Sequence, residues 1–89
     1  MAFHADKIEE FRASLEKHHE WPCEYTFKFI VHTQYLERAL SLFPNDSIQI
    51  KNSSQGKYSS LTWTRKVQSS DEIISAYLKA SEIEGIIAL

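Results

Sequence analysis

The stretch Glu24-Tyr25-Thr26-Phe27-Lys28-Phe29-Ile30-Val31, residues 24–31, sets large apolar side chains at 25, 27, 29 and 31 against polar ones at 24, 26 and 28. Alternate residues of an extended chain point to opposite faces, so a period of two predicts a strand with one buried face. Ile30 is the one apolar exception on the other face. Upstream, Glu20-Trp21-Pro22 breaks what precedes, because the ring of Pro22 disfavours helical geometry at Trp21. Before that break, Asp6 to His19 sets Ile8, Phe11 and Leu15 at spacings of three and four, the stripe of a helix that Asp6 would cap.

Downstream, Leu36, Ala39, Leu40 and Phe43 repeat at helical spacing, predicting a helix over Gln34 to Leu42 that stops at the turn cluster Pro44-Asn45-Asp46. Ser47 to Ser53 alternates as a short strand, and Ser54-Gln55-Gly56-Lys57 reads as a hairpin in which Gly56 takes positive φ. Tyr58 to Val67 is a long strand with Leu61, Trp63 and Val67 inward and Ser60, Thr62, Thr64 and Lys66 outward. Ser69 and Glu72 stand at capping-box spacing before a helix striped by Ile73, Ile74, Tyr77 and Leu78. Gly85 ends that helix, and Ile86 to Leu89 forms a last strand.

The expected architecture is therefore α+β: a ferredoxin-like βαββαβ split sandwich over residues 23–89, preceded by a helical extension over 1–20, in one domain spanning 1–89. An antiparallel four-stranded sheet carries its two helices on one face. The first and third strands are central, and the second and fourth form the edges. The opposite face stays open unless the N-terminal helix or another subunit covers it.

Composition narrows function by exclusion. Ten Lys and Arg against twelve Asp and Glu give a net charge of -2, so bulk charge does not draw the chain to nucleic acid or anionic membrane. Cys23 is the only cysteine, which excludes an intramolecular disulfide and any multi-cysteine metal site, and suits a reducing cytoplasm. Residues 1–12 contain no apolar run that would mark a secretory signal or a membrane span.

Two stretches carry a family resemblance. Glu20-Trp21-Pro22 leading into Tyr25-Thr26-Phe27-Lys28-Phe29, and Ser53 to Ser60 leading into the long strand, resemble the small bacterial YbeD-like family, as does the closing Ile86-Ile87-Ala88-Leu89. The resemblance runs from Leu15 to Leu89. It implies a ferredoxin-like fold of unknown function, reminiscent of the ACT-type regulatory domains that bind small effectors. The chain departs from that pattern in its longer N-terminal helix, in Val31-His32 where a glycine is usual, and in Arg65 where a small or apolar residue is usual.

Among candidate chemistries, the loop Ser53-Ser54-Gln55-Gly56-Lys57 with Tyr58 offers hydroxyls, a glycine and a lysine to an anion, although a glycine hairpin accounts for the same residues. The outward sheet face gathers Thr26, Lys28, Gln49, Lys51, Ser60, Thr62, Thr64 and Lys66, which suits an anionic ligand or simply a solvated surface. Ser53, Ser54, Lys57, Tyr58, Lys28 and Thr62 are the candidate ligand-binding residues. Sheets that read RNA stack bases on exposed aromatics, and with the rings of this chain expected inward, nucleic acid is disfavoured.

His18 and His19 are sequence neighbours about 100° apart around a helix and so diverge. With Cys23 across a proline bend they make a weak metal signal, and no metal or cofactor is expected. A pairing of Cys23 with His18, His19 or His32 for nucleophilic catalysis has no flanking signature. Acylphosphatases, which share the fold class, need an arginine in a glycine-containing loop where this chain has His32-Thr33-Gln34. Arg65 falls by parity on the packed face and requires a carboxylate, expected from the N-terminal helix, or a place at an exposed strand end.

These observations point to a non-catalytic regulatory or adaptor module in the cytoplasm. It would bind a protein partner, or pair with itself, through a sheet edge or face, or bind a small molecule as an ACT-like effector domain. A hydrolase is the weaker alternative.

Overall fold

The computed structural model describes residues 5–89, with side chains from residue 7 onward. His4 and the capping side chain of Asp6 lie outside that description. The elements run α1 (Ala5–His18), β1 (Cys23–His32), a 3-10 turn (Thr33–Tyr35) leading into α2 (Leu36–Leu42), β2 (Gln49–Asn52), β3 (Tyr58–Val67), α3 (Ser70–Ala80) and β4 (Ile87–Ala88). The fold is α+β. Its strands form one antiparallel sheet in the order β2-β3-β1-β4. No helix among the described residues is long and apolar enough to cross a membrane.

The central pair, β1 and β3, ladders from Cys23 opposite Val67 to His32 opposite Tyr58. That register follows from the alternation, because a slip by one residue would turn Phe27, Phe29, Leu61 and Trp63 to solvent. All four are buried. Phe27 stacks on Trp63 at 5.1 Å, Phe43 from the end of α2 packs against Trp63 at 4.7 Å, and Tyr77 of α3 meets Phe29 edge-on at 5.2 Å. Both helices thus lie over the face that carries the rings.

Several boundaries contract. The helix expected from Gln34 opens as a 3-10 turn because the backbone and hydroxyl of Thr33 are held by the hairpin: its N–H donates to the Lys57 carbonyl at 3.0 Å and its Oγ1 to the Gly56 carbonyl at 2.7 Å. The last strand narrows to Ile87–Ala88, since Ile86 turns into the core, where Ile83 also packs. Leu78, expected on the buried stripe of α3, is exposed, and Ala76 and Ala80 take the inward positions. Ser69 takes the N-cap position of α3, but the reciprocal capping box does not form. Glu72 accepts from the N–H of Gln68, and Ser69 makes no side-chain cap.

α1 docks on α3. Leu15 is buried, Phe11 meets Tyr77 edge-on at 5.0 Å with rings at 85°, and Arg12 pairs with Asp71 in the first turn of α3. Glu16 accepts from the hydroxyl of Ser70 and from the Trp21 indole N–H at 3.1 Å, and both bonds hold its carboxyl below the usual range. The helical extension therefore joins α2 and α3 on one side of the sheet.

Arg65 finds its carboxylates elsewhere than expected. Glu72 of α3 lies at 3.2 Å and Asp46 of the α2–β2 connection at 3.8 Å, and no described side chain of the N-terminal helix pairs with it. The cleft of about 270 Å³ that Arg65 lines with Phe43, Glu72 and Lys79 is thus built around a guanidinium already paired.

Candidate functional site: the open sheet face

With three helices on one side, no helix among the described residues covers the other side of the sheet, and the registers set its pattern. Outward from β1 and β3 come the opposed pairs Glu24 and Lys66, Thr26 and Thr64, Lys28 and Thr62, Ile30 and Ser60, and His32 and Tyr58. β2 adds Gln49 beside Thr62 and Lys51 beside Ser60, and β4 adds Ile87 beside Ile30. Period-two alternation puts the hydroxyls here, and the two central threonines share a hydrogen bond of 2.8 Å.

Two shallow depressions cut this face. One of about 550 Å³ is lined by Lys28, Gln49, Ile50, Lys51, Ser60 and Thr62. The other, about 190 Å³ and mostly apolar, lies beneath the hairpin between Ile30, Lys51, Asn52, Ser53, Tyr58 and Ser60. Lys51 and Ser60 belong to both, so the two are continuous. Lys28, Thr62, Ser53 and Tyr58 from the sequence reading meet here, whereas Ser54 and Lys57 stay on the exposed hairpin tip. Lys51 and Ser60, expected on the outward face though not among the six candidate ligand-binding residues, join the site, and so does Ile30, which the binding expectations omit. The outward parity of the strands already contained them.

The hairpin itself is closed internally. The Ser53 N–H donates to the Tyr58 carbonyl at 2.8 Å, the Gly56 N–H to the Ser53 carbonyl at 2.9 Å, and the Tyr58 N–H to Ser53 Oγ at 3.1 Å. Gly56 has φ +71°, the left-handed region this turn requires. An anion cradle needs convergent free amides, and these three are engaged within the turn.

The aromatic inventory of the face needs correction. Tyr58 stands on it, 38% exposed, with its ring against His32 at 4.7 Å and Lys57 Nζ at 5.7 Å. The strand alternation that carries Ser60 and Thr62 outward also carries Tyr58, two residues earlier.

The histidines near α1 diverge. His18 Nδ1 lies 2.8 Å from the Ser14 carbonyl on its own helix, while His19 turns toward Cys23, with Nδ1 3.9 Å from Sγ, and packs on Trp21 and Tyr25. Among the described residues no group of three His, Cys, Asp or Glu is placed to hold a metal ion. On the helix side, Tyr25 and Tyr77 share a hydroxyl bond of 3.2 Å beside an apolar groove lined by Phe11, Ala88 and Leu89. Burial pushes the Tyr77 phenol far above its usual range, and the bond to Tyr25 adds to the shift.

Residues 16–89 match the profile of a family described as a protein of unknown function (DUF493), and the YbeD-like resemblance is consistent with it. The matched span begins within α1 and covers the whole sheet. No curated protein and no solved structure matches the chain.

Proposed function

The chain belongs to this family of unknown function, so its own geometry has to carry the reading, and we propose a non-catalytic adaptor or regulatory module that receives a protein partner on the open sheet face. The observation behind it is the placement of α1: a third helix that could have covered the bare side packs on α3 instead. Solvated polar faces are common in antiparallel sheets. This one also exposes apolar groups, Ile87 at 50% and Tyr58 at 38%, at one end of a lysine and hydroxyl surface.

The fold within this proposal is ferredoxin-like. In support, α2 links β1 to β2 with β3 lying between them in the sheet, and α3 links β3 to β4 with β1 lying between them, which is a pair of split βαβ units. The lone cysteine suits a cytoplasmic setting.

The full chain and its Lys28→Glu, Thr62→Arg variant, used as baits in the same native extract, test the proposal. Proteins held by the wild type and lost by an equally stable variant are expected. Identical retention by the two baits would overturn it. A second reading, an ACT-like module for a small effector, draws on the depression beneath the hairpin, and a saturable rise in melting midpoint with a small anionic metabolite would favour it.

A further inference from the structure

Charge on this molecule is segregated by side. The chain is net negative, yet the open face carries Lys28, Lys51 and Lys66 against a single carboxylate, Glu24, which stands opposite Lys66 in the register. On the helix side the balance is the opposite: among the described side chains of the three helices and the turn at residues 81–82 after α3, the seven carboxylates Glu9, Glu10, Glu16, Glu37, Asp71, Glu72 and Glu82 outnumber the five cations Lys7, Arg12, Lys17, Arg38 and Lys79. Long-range attraction therefore favours an anionic group approaching the bare face and disfavours one approaching the other side.

The face grades from charged to apolar across its middle rows. Gln49, Thr62 and Lys28 form one row, and Lys51, Ser60, Ile30 and Ile87 form the next, running from the β2 edge to β4. The depression holding Lys28, Lys51 and Thr62 offers two ammonium groups, a hydroxyl and the Gln49 amide, a donor set matched to a carboxylate. Its neighbour offers Ile30 and the Tyr58 ring. Resting on the adaptor reading above, we infer that the occupant is an acidic, partly apolar polypeptide segment of a partner protein, with a carboxylate between Lys28 and Lys51 and an adjacent apolar side chain on Ile30 and Tyr58.

A nucleic acid fits less well. Single-stranded recognition stacks successive bases on several exposed aromatic faces, and among the described residues the strands present one tyrosine, Tyr58, on this side. A small ion would leave the apolar half of the surface unused. A segment that carries both groups covers both depressions.

The test uses the full chain and three fluorescein-labelled probes: a peptide alternating Glu and Leu, its Gln and Leu counterpart, and a single-stranded oligothymidylate. Anisotropy is followed for the wild type and for Lys28→Glu/Lys51→Glu, with Lys28→Gln/Lys51→Gln standing in if the charge-reversed variant does not melt like the wild type. Saturable binding of the acidic peptide is expected with a Kd of about 1 mM or tighter. That binding should weaken at least tenfold in the variant, at least tenfold for the glutamine counterpart, and with added salt. An acidic peptide that fails to saturate, or that binds no better than its glutamine counterpart, overturns the inference. An oligothymidylate that binds in its place and is lost in the variant overturns the acidic segment but leaves the open face as a binding surface. If no probe responds to the lysine substitutions, both fall.

Discussion

Which side of the sheet α1 covers decides whether there is an open face at all, and Leu15 is the residue to perturb. Its side chain is only 4% exposed, so Leu15→Ala removes three buried carbons. Leu-to-Ala substitutions in cores cost about 2–5 kcal/mol, and at a helix that docks from the periphery and relaxes into the gap the lower half of that range applies, about 2–3 kcal/mol. For 89 residues an unfolding entropy of about 2 cal/mol/K per residue converts this to a fall of about 10–15 °C in midpoint, read by calorimetry or circular dichroism. A double-mutant cycle then locates the contact. Phe11→Leu and Tyr77→Leu should couple by about 0.5–1.5 kcal/mol, the range for an edge-on aromatic pair, whereas Phe11→Leu and Ile87→Ser should add. A midpoint that moves by less than 2 or so degrees in Leu15→Ala, or coupling of Phe11 to Ile87, would put α1 elsewhere and remove the bare face.

Three further outcomes follow from the same contacts. Glu16 is held below its ordinary value of 4.5, chiefly by Ser70, so its contribution is present above pH 4.5 and is lost as pH falls through the lowered value; the midpoint gap between wild type and Glu16→Gln should therefore shrink in an acid titration. Burial raises the Tyr77 phenol, so the folded state is favoured by the neutral form: ultraviolet titration should show one tyrosine that ionises only as alkali unfolds the chain, and Tyr77→Phe should remove it. Gly56→Ala meets no atom within 4 Å but forces a side chain to φ +71°, and should cost about 1–2 kcal/mol through backbone strain alone, with amide exchange accelerated at the hairpin.

The alternations in β1 and β3 were legible because most inward residues are large and apolar and most outward ones polar, and together they set the sheet, its central pair and its bare side. Lys28 and Thr62 could be placed on one surface from parity alone. Ser53 and Tyr58 stand at the strand ends that flank the hairpin, and their meeting with Lys51 and Ser60 depends on how the hairpin folds back over Ile30, a matter of register between β2 and β3 that no local pattern encodes. Tyr58 shares the outward parity of Ser60 and Thr62, so its place on this face follows from the same alternation. Ile83 enters the core from a connection with no period, so nothing marked it, and Ile86, expected in the last strand, turns into the core just before it. The partners of Arg65 are local in space but come from an unexpected quarter, since the strand end turns directly into α3 and brings Glu72 within reach seven residues on.

The bonds that Thr33 makes give the β2–β3 hairpin a mechanical character. Its N–H and hydroxyl hold the carbonyls of Lys57 and Gly56, and the same oxygen lies 3.1 Å from the buried hydroxyl of Ser59, which in turn donates to Asn52 at 2.7 Å. The tip is therefore pinned to the corner where β1 turns into the first helical turn before α2, and it cannot swing like a free flap. Lifting the tip away from the sheet requires breaking the Thr33 bonds at the entrance to α2.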